Sequence, residues 1–528
     1  VTTPWLTIIG LVPLAGATAI TVLPKGKDLL VKQVALGSSL VVLVLTAIMC
    51  VQFEPNGARF QFVQSHDWIT SFGVHYAVGV DGIALVLIGL IAVLVPVVLL
   101  ASWDEVESLS ETSLAGTEDA PATGRKNVKS FFALLLILET MMIGVFASTD
   151  IFLFYVFFES MLIPMYFLIG SYGGPRRSYA AVKFLLYSLV GGLLMLAAVI
   201  GLYVQSTKVG PGTFSFEALT QLELSHFTQA WLFLGFFIAF AIKAPLFPFH
   251  TWLPDAGAEA PTGSAILLVG VLDKVGTFGF LRYCLPLFPW AAREFAPYVI
   301  ALSVIGVIYG ALLAMGQKDL KRLVSYTSVA HFGFIGLGCF AFTTQAGTGA
   351  VLYMVNHGLS TGALFMVLGF LISRGKSRLI SDYSGIAKVA TTLAALFFFS
   401  GLSALALPGL STFISEFLVL VGSFQRYTVA TIIATTGIIL AALYILLAYQ
   451  RTMQGPLSAA HEKMKDLNAR EVAALAPLLA LMLVLGIYPK PVTDIINPAV
   501  KATMQDVGAQ DPAPTDALHS GQSNRGSK

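Results

Sequence analysis

The stretch FAIKAPLFPFHTWLPDA, Phe240–Ala256, decides how the chain folds. It starts as an apolar helix, then carries Lys243, and then meets Pro245 and Pro248, each lacking the N–H that an α-helical turn needs. The rest of the chain says what surrounds this lysine. Of 528 residues 56% are hydrophobic and 11% charged, where soluble domains have about a quarter charged. Mean hydropathy is +0.81. The stretch is therefore a broken membrane helix holding an ionisable group, and the chain is a polytopic membrane protein.

Working outward, apolar runs long enough to span a bilayer, ~20 residues each, occur fourteen times: 4–22, 31–52, 78–102, 130–148, 151–171, 179–204, 229–250, 262–284, 296–316, 322–343, 347–373, 389–422 (interrupted), 427–450 and 471–489. No strand-like alternation suggests a barrel, so an all-α bundle of about 14 transmembrane helices is expected. Loops after spans 1 (Lys25, Lys27), 5 (Arg176, Arg177), 9 (Lys318, Lys321, Arg322), 11 (Arg374, Lys376, Arg378) and 13 (Arg451, Lys463, Lys465, Arg470) are basic, and those after spans 2, 4, 6 and 10 are not. Odd-numbered loops are thus expected in the cytoplasm and both termini on the non-cytoplasmic side. A cleaved signal peptide is not expected, because the N-terminus enters a span without a basic n-region. Loop 103–129, with Asp104, Glu105, Glu107, Glu111, Glu118 and Asp119, reads as solvated, and the tail 491–528 as disordered at its end.

Composition also narrows the chemistry. The net charge of +2 and the lack of a long basic patch give no nucleic-acid partner. Cys50, Cys284 and Cys339 lie far apart in apolar runs, and no CxxC, HExxH or nucleotide-binding glycine pattern occurs, so neither a metal nor a cofactor is expected in this chain.

The interruption at Pro245 has an echo about 163 positions later, where Pro408 and Gly409 interrupt LALPGLSTFISE. Paired broken spans mark repeat-built transporters whose path lies at the breaks. Ionisable residues inside spans cost about 2.5–3.5 kcal/mol each on insertion scales and therefore need a partner or a purpose. They are Glu139, Glu159, Lys183, Lys243, Asp273, Lys274, His331, His357 and Glu416, with Asp81 at the start of span 3 near the interface. Lys183 reads equally well as a snorkelling side chain, and Asp273 as the neutraliser of a neighbouring lysine. His331 or His357 alone reads first as a satisfied core imidazole, but together they extend a chain of polar sites. Glu159, in FLFYVFFESMLIPMYFL, is too far from either end to snorkel. The set reads as Lys, Glu and His without Arg, as proton transfer requires, because arginine does not release its proton.

The segments GVDGIAL, FESMLIPMYFLIG, AFAIKAPLFPFHTWLPDAGAEAPTGSAILLVGVLDKVGTFGFLRY, KDLKRLVSYTSVAHFGFIGLG, VNHGLSTGALFMVLGFL and LALPGLSTFISEF together resemble the antiporter-like subunits of respiratory complex I, over most of residues 75–455. The M-type subunit is the most similar, because Glu416 stands where the L- and N-type chains carry lysine, and no long lateral helix follows span 14. The resemblance implies two inverted five-helix repeats, spans 4–8 and 9–13, with discontinuous helices 7 and 12. The implied divisions are 1–128 (spans 1–3 and the acidic loop), 129–285, 286–452, 453–490 (the last span) and 491–528.

The resemblance further implies proton translocation through Glu159, Lys243, Lys274, His331, His357 and Glu416. Glu139, Lys183, His250 and Asp273 are accessory candidates, of which Glu139 and Asp273 match no motif position of the family and His250 reads as an entry-side or capping residue. FMN, iron–sulfur clusters and quinone belong, by the same resemblance, to other subunits of an NADH:quinone oxidoreductase. L- and N-type chains and membrane lipids would be the neighbours, in a bacterial cell membrane. The rival readings are a subunit of a multi-subunit cation/proton antiporter and a structural subunit of a hydrogenase-like complex.

Overall fold

In hydrocarbon every backbone N–H and C=O must be satisfied within the protein, and helices do this span by span. The computed structural model describes residues 3–109 and 127–512. Among these, thirteen helices are long and apolar enough to cross a membrane. They are span 1 (Trp5–Val22), span 2 (Asp28–Gln52), span 3 (Gly82–Ala101), span 4 (Val128–Ala147), span 5 (Ile151–Tyr172), span 6 (Arg177–Ser206), span 7 (His226–Lys243), span 8 (Thr262–Leu287), span 9 (Pro289–Met315), span 10 (Leu320–Phe340), span 11 (Thr344–Gly375), span 13 (Thr428–Met453) and span 14 (Ala469–Ile487). Span 12 is two shorter helices, Thr391–Ala404 and Ser411–Phe424, and span 7 continues past its break as Trp252–Glu259.

The loops sort by parity, as fourteen alternating spans require. At one end, Gly174 of loop 5 donates to Glu259 O of loop 7, Leu320 of loop 9 to Arg378 O of loop 11, and Gly385 to Gln454 O of loop 13. At the other end, Thr149 of loop 4 donates to Ala77 O of loop 2, and Ile151 to Phe214 O of loop 6.

Three features add to the sequence reading or depart from it. Loop 2, which the sequence marks only as not basic, carries an antiparallel hairpin, β1 (Gln61–Ile69) and β2 (Val74–Val80). The segment from Lys490 to Asp506 is a helix with Ile496, Val500 and Met504 buried, so the tail begins later than residue 491; residues 513–528 lie outside the described chain. The acidic loop is anchored rather than solvated at its start. Glu107 and Asp104 pair with the buried Lys32 of span 2 at 2.6 and 3.7 Å, and Asp104 meets Arg470 at 2.5 Å. Glu105 accepts from the Thr262 and Gly263 N–H groups that open span 8. Glu111, Glu118 and Asp119 lie outside the described residues.

The two breaks share one backbone pattern. Ala244 donates to Phe240 O, Leu246 to Ala241 O and Phe249 to Leu246 O; in span 12, Leu405 donates to Gly401 O, Leu407 to Leu402 O and Leu410 to Leu407 O. Each bond recurs at the same offset (244 to 405, 246 to 407, 249 to 410), so the register is 161 residues. The proline marks, Pro245 and Pro408, stand 163 apart and give a slightly wrong alignment. The bond to a carbonyl five residues back lets the chain leave the helix. In span 7 it frees Ile242 O, which accepts the Trp252 indole N–H at 2.8 Å. In span 12 the turn uses positive φ at Ala406 and Gly409.

Candidate functional site

Spans 8, 10 and 11 form the interior: every residue in the spanning window of span 8 is buried, and 94% in those of spans 10 and 11. Lipid contact falls to other helices, as the exposed Leu186, Val190 and Leu193 of span 6 and Ile432 and Ile439 of span 13 indicate. Ionisable residues on the interior spans are thereby removed from hydrocarbon, which is where polytopic proteins place functional ones.

Span 8 is not regular. Leu268–Leu272 and Phe280–Cys284 are π-helical turns on either side of Asp273–Lys274. In the first, Asp273 N–H bonds to Leu268 O rather than to Val269 O. Val269 O accepts instead from Lys274 Nζ. Such turns are frequent at functional sites because they release a carbonyl for other use. Two residues on, Gly276 lets span 8 approach the broken end of span 7: a Cβ there would lie 2.5 Å from Ala244 N and would overlap Phe240 O.

From Lys274 a row of polar side chains leads across the bundle. Lys274 Nζ lies 2.6 Å from His357 Nδ1. With Lys274 charged, Nζ donates and Nδ1 accepts, and the neutral imidazole then carries its proton on Nε2, which has no partner. The His331 ring stands edge-on to His357 at 5.2 Å between centroids and lies against the Ala404 backbone. His331 also lies 5.7 Å from the Tyr353 ring, and Tyr353 OH donates to Glu416 Oε2 at 2.9 Å. Tyr353, which the sequence pattern does not single out, completes the contact with Glu416. Asn356 Nδ2 donates to Ser411 O at 2.7 Å and so fixes the second half of span 12, which carries Glu416.

The first-half pair is arranged differently. Lys243 closes the first half of span 7, buried, with Nζ over the Phe158 and Phe184 rings at 5.0 and 5.6 Å and no hydrogen-bond partner. Glu159 does not lie within ion-pair distance of it. Span 5 turns at Met161, directly after Glu159 and Ser160, where Pro164 leaves Ser160 O without its α-helical donor. Glu159 is only partly covered by this chain, with Oε1 buried and unpartnered.

The accessory candidates separate. Lys183 does not snorkel: it pairs with Asp255 at 2.7 Å, and Arg322 holds the other Asp255 oxygen at 2.6 Å. His250 caps no helix; its ring is buried against Phe247 and Tyr309 of span 9, at 5.8 and 5.1 Å, with both nitrogens unpartnered. Asp273 and Glu139 are fully buried with neither carboxylate oxygen hydrogen-bonded.

Arg282 is buried near the end of span 8, outside the mid-membrane set of ionisable residues. It meets Asp81, the N-cap of span 3, at 2.8 Å with both side chains at most 2% exposed, although no N–H is aligned for a hydrogen bond. Phe60 and Phe278 cover the guanidinium, each at 4.9 Å. Arginine, which keeps its proton, fits this place as a structural partner of Asp81. Arg282→Gln is expected to cost about 3–5 kcal/mol by leaving a buried carboxylate unpaired, and Asp81→Asn in the same chain to recover part of it. The amount of chain in membrane complexes on a native gel measures both.

Among the described residues no three His, Cys, Asp or Glu side chains gather as a metal site. Residues 148–443 match the family model described as NADH:quinone oxidoreductase/Mrp antiporter, TM. NADH-quinone oxidoreductase subunit M of Mycobacterium tuberculosis (strain ATCC 25618 / H37Rv) is 50% identical over 97% of this chain and 96% of its own length. Subunit M of Rhodobacter capsulatus is 38% identical over 96% of this chain and 97% of its own. A chain of respiratory complex I from Thermus thermophilus superposes with a TM-score of 0.83 at 31% identity, covering 96% of this chain and all of that one. The chain therefore belongs to the NADH:quinone oxidoreductase/Mrp antiporter transmembrane family, and within it to the M subunits of NADH-quinone oxidoreductase.

Proposed function

We propose that this chain moves protons along the row that begins at the Glu159–Lys243 pair, passes Lys274, His357, His331 and Tyr353, and ends at Glu416. The observation that carries this reading is the run of exchangeable groups from Lys274 Nζ, 2.6 Å from His357, to the Tyr353–Glu416 hydrogen bond of 2.9 Å. Lys274 gives a proton to Nδ1 of His357, and the imidazolium releases the one on Nε2 toward His331. Tyr353 passes it to Glu416 by giving its hydroxyl proton and taking another. Lys243 supplies Lys274 when the Glu159 carboxylate moves away, and holds its proton when the carboxylate returns. Two charges 4 Å apart interact by about 4 kcal/mol at an effective dielectric of 20. Moving one charge against 100 mV costs about 2.3 kcal/mol. Opening and closing a single pair is thus of the right size to drive a transfer.

In this reading electron transfer takes place in other subunits, which hold FMN, iron–sulfur clusters and quinone, and reaches this chain as an electrostatic change. The half-covered Glu159 supports a neighbouring membrane chain at span 5, of the L- or N-type, since a carboxylate facing hydrocarbon would be costly. Spans 4–8 and 9–13 act as two repeats, in keeping with the 161-residue register of the breaks. The chain sits in a bacterial cell membrane with odd loops cytoplasmic and both termini opposite; protons enter from the cytoplasm. Purification of the intact complex tests the whole: flavin, iron–sulfur clusters and NADH oxidation coupled to proton uptake into vesicles are expected. A complex that holds none of these and exchanges sodium for protons would overturn the reading in favour of an antiporter.

A further inference from the structure

Glu159 lies apart from Lys243 although nothing hydrogen-bonds its buried oxygen, so something else sets its place. The neighbour on span 6 is Gly192. A Cβ at that position would overlap Glu159 Oε1, lie 2.5 Å from its Cδ and 3.1 Å from Oε2. The carboxylate therefore occupies the volume that any other residue at 192 would fill. The preceding residue, Gly191, serves span 7 instead. A Cβ there would lie 3.1 Å from Ala239 Cα and 3.1 Å from Ile242 Cδ1, so the glycine admits span 7 just ahead of Lys243. One turn from Gly192 on the same face of span 6, Ser188 has a buried hydroxyl with no partner. This face of span 6 thus combines a glycine notch with a free donor, beside a carboxylate and a lysine that do not touch.

We propose that Gly192 is a positioning residue, whose missing side chain forms the seat that holds the Glu159 carboxylate away from Lys243. The inference rests on the reading that the Glu159–Lys243 pair opens and closes during proton transfer, and it adds where the open position is. With a methyl group at 192 the carboxylate cannot enter the seat, and the pair loses one of its two arrangements.

Gly192→Ala in the intact complex is expected to lower coupled proton transport by about tenfold to a hundredfold, the upper figure being what misplacement of a reacting group by an ångström can cost. Glu159→Asp withdraws the carboxylate by one methylene, about 1.5 Å. Gly192→Ala/Glu159→Asp should therefore regain most of the transport of Glu159→Asp alone. A merely structural glycine would show no such rescue. Assembly is read in parallel: Gly192→Ala/Glu159→Ala should assemble as well as Glu159→Ala, because the added methyl then meets no carboxylate. Failure of that double variant to assemble, or a Gly192→Ala defect that Glu159→Asp does not relieve, overturns the seat. Normal transport in Gly192→Ala while Glu159→Gln is inactive overturns the seat alone and leaves the role of Glu159 standing. Full transport in Glu159→Gln removes the underlying reading, and the seat with it.

Discussion

Lys243→Ala is expected to leave the complex assembled and to lower coupled proton transport by about a hundredfold or more, the range in which positioned proton donors contribute. Assembly should survive because Lys243 Nζ has no hydrogen-bond partner and no ion pair at contact distance, so its removal breaks no such contact. What is lost inside the protein is contact with the Phe158 and Phe184 rings. The informative companion is Lys243→Arg. It keeps the positive charge beside Glu159 but does not release a proton. If Lys243 works as a fixed charge, the arginine variant should transport protons almost normally; if it is a relay member, arginine should fail as alanine does. Proton uptake by vesicles containing the complex, set against NADH oxidation in the same sample, separates the two. Wild-type uptake in Lys243→Ala would remove Lys243 from the path altogether.

The sequence made the site legible where a residue was chemically out of place. Glu159, Lys243, Lys274, His331, His357 and Glu416 stand out because each interrupts a spanning run of apolar residues, and of these the row from Lys274 through His357 and His331 to Tyr353 and Glu416 is the part whose side chains meet. Residues ordinary for a membrane helix were harder to see. Tyr353 looks like any aromatic in span 11; the one available signal was its place four residues before His357, on the same helical face. Asp81 and Arg282 stand 201 positions apart, each near the end of a span where a charge could reach the interface, so nothing local announced that they neutralise each other.

Backbone devices were less legible still. The π-turns beside Asp273 and Lys274 contain no proline and have no residue signature, and they arise from how the fully buried span 8 packs. The repeat was visible through its prolines but in the wrong register. In the register set by the hydrogen bonds, Ala404 is the counterpart of Lys243, and Asp255 is the counterpart of Glu416. The two breaks thus share a backbone and differ in which side of the break bears the chemistry. In span 7 the lysine precedes the break, while Asp255 beyond it is taken up by Lys183 and Arg322. In span 12 the position before the break is alanine, and the carboxylate beyond it is left to Tyr353.

That difference makes Glu416 the sharper test of the second half. Glu416→Gln keeps an oxygen to accept from Tyr353 and nearly the same volume, so the fold around span 12 should stand. It removes only the capacity to bind and release a proton. Coupled proton transport should fall about a hundredfold or more, again within the range for an acid–base group. Glu416→Asp should keep part of the activity, since it can still ionise but stands one methylene further from Tyr353. If Glu416 instead serves only to hold span 12 against span 11, the order reverses: glutamine, which keeps the hydrogen bond, would transport normally and aspartate would be the worse variant. The same measurement on Tyr353→Phe closes the argument. A relay through the hydroxyl predicts that phenylalanine slows transport even where Glu416 is intact, whereas a packing role predicts no change, because the ring at 5.7 Å from His331 remains.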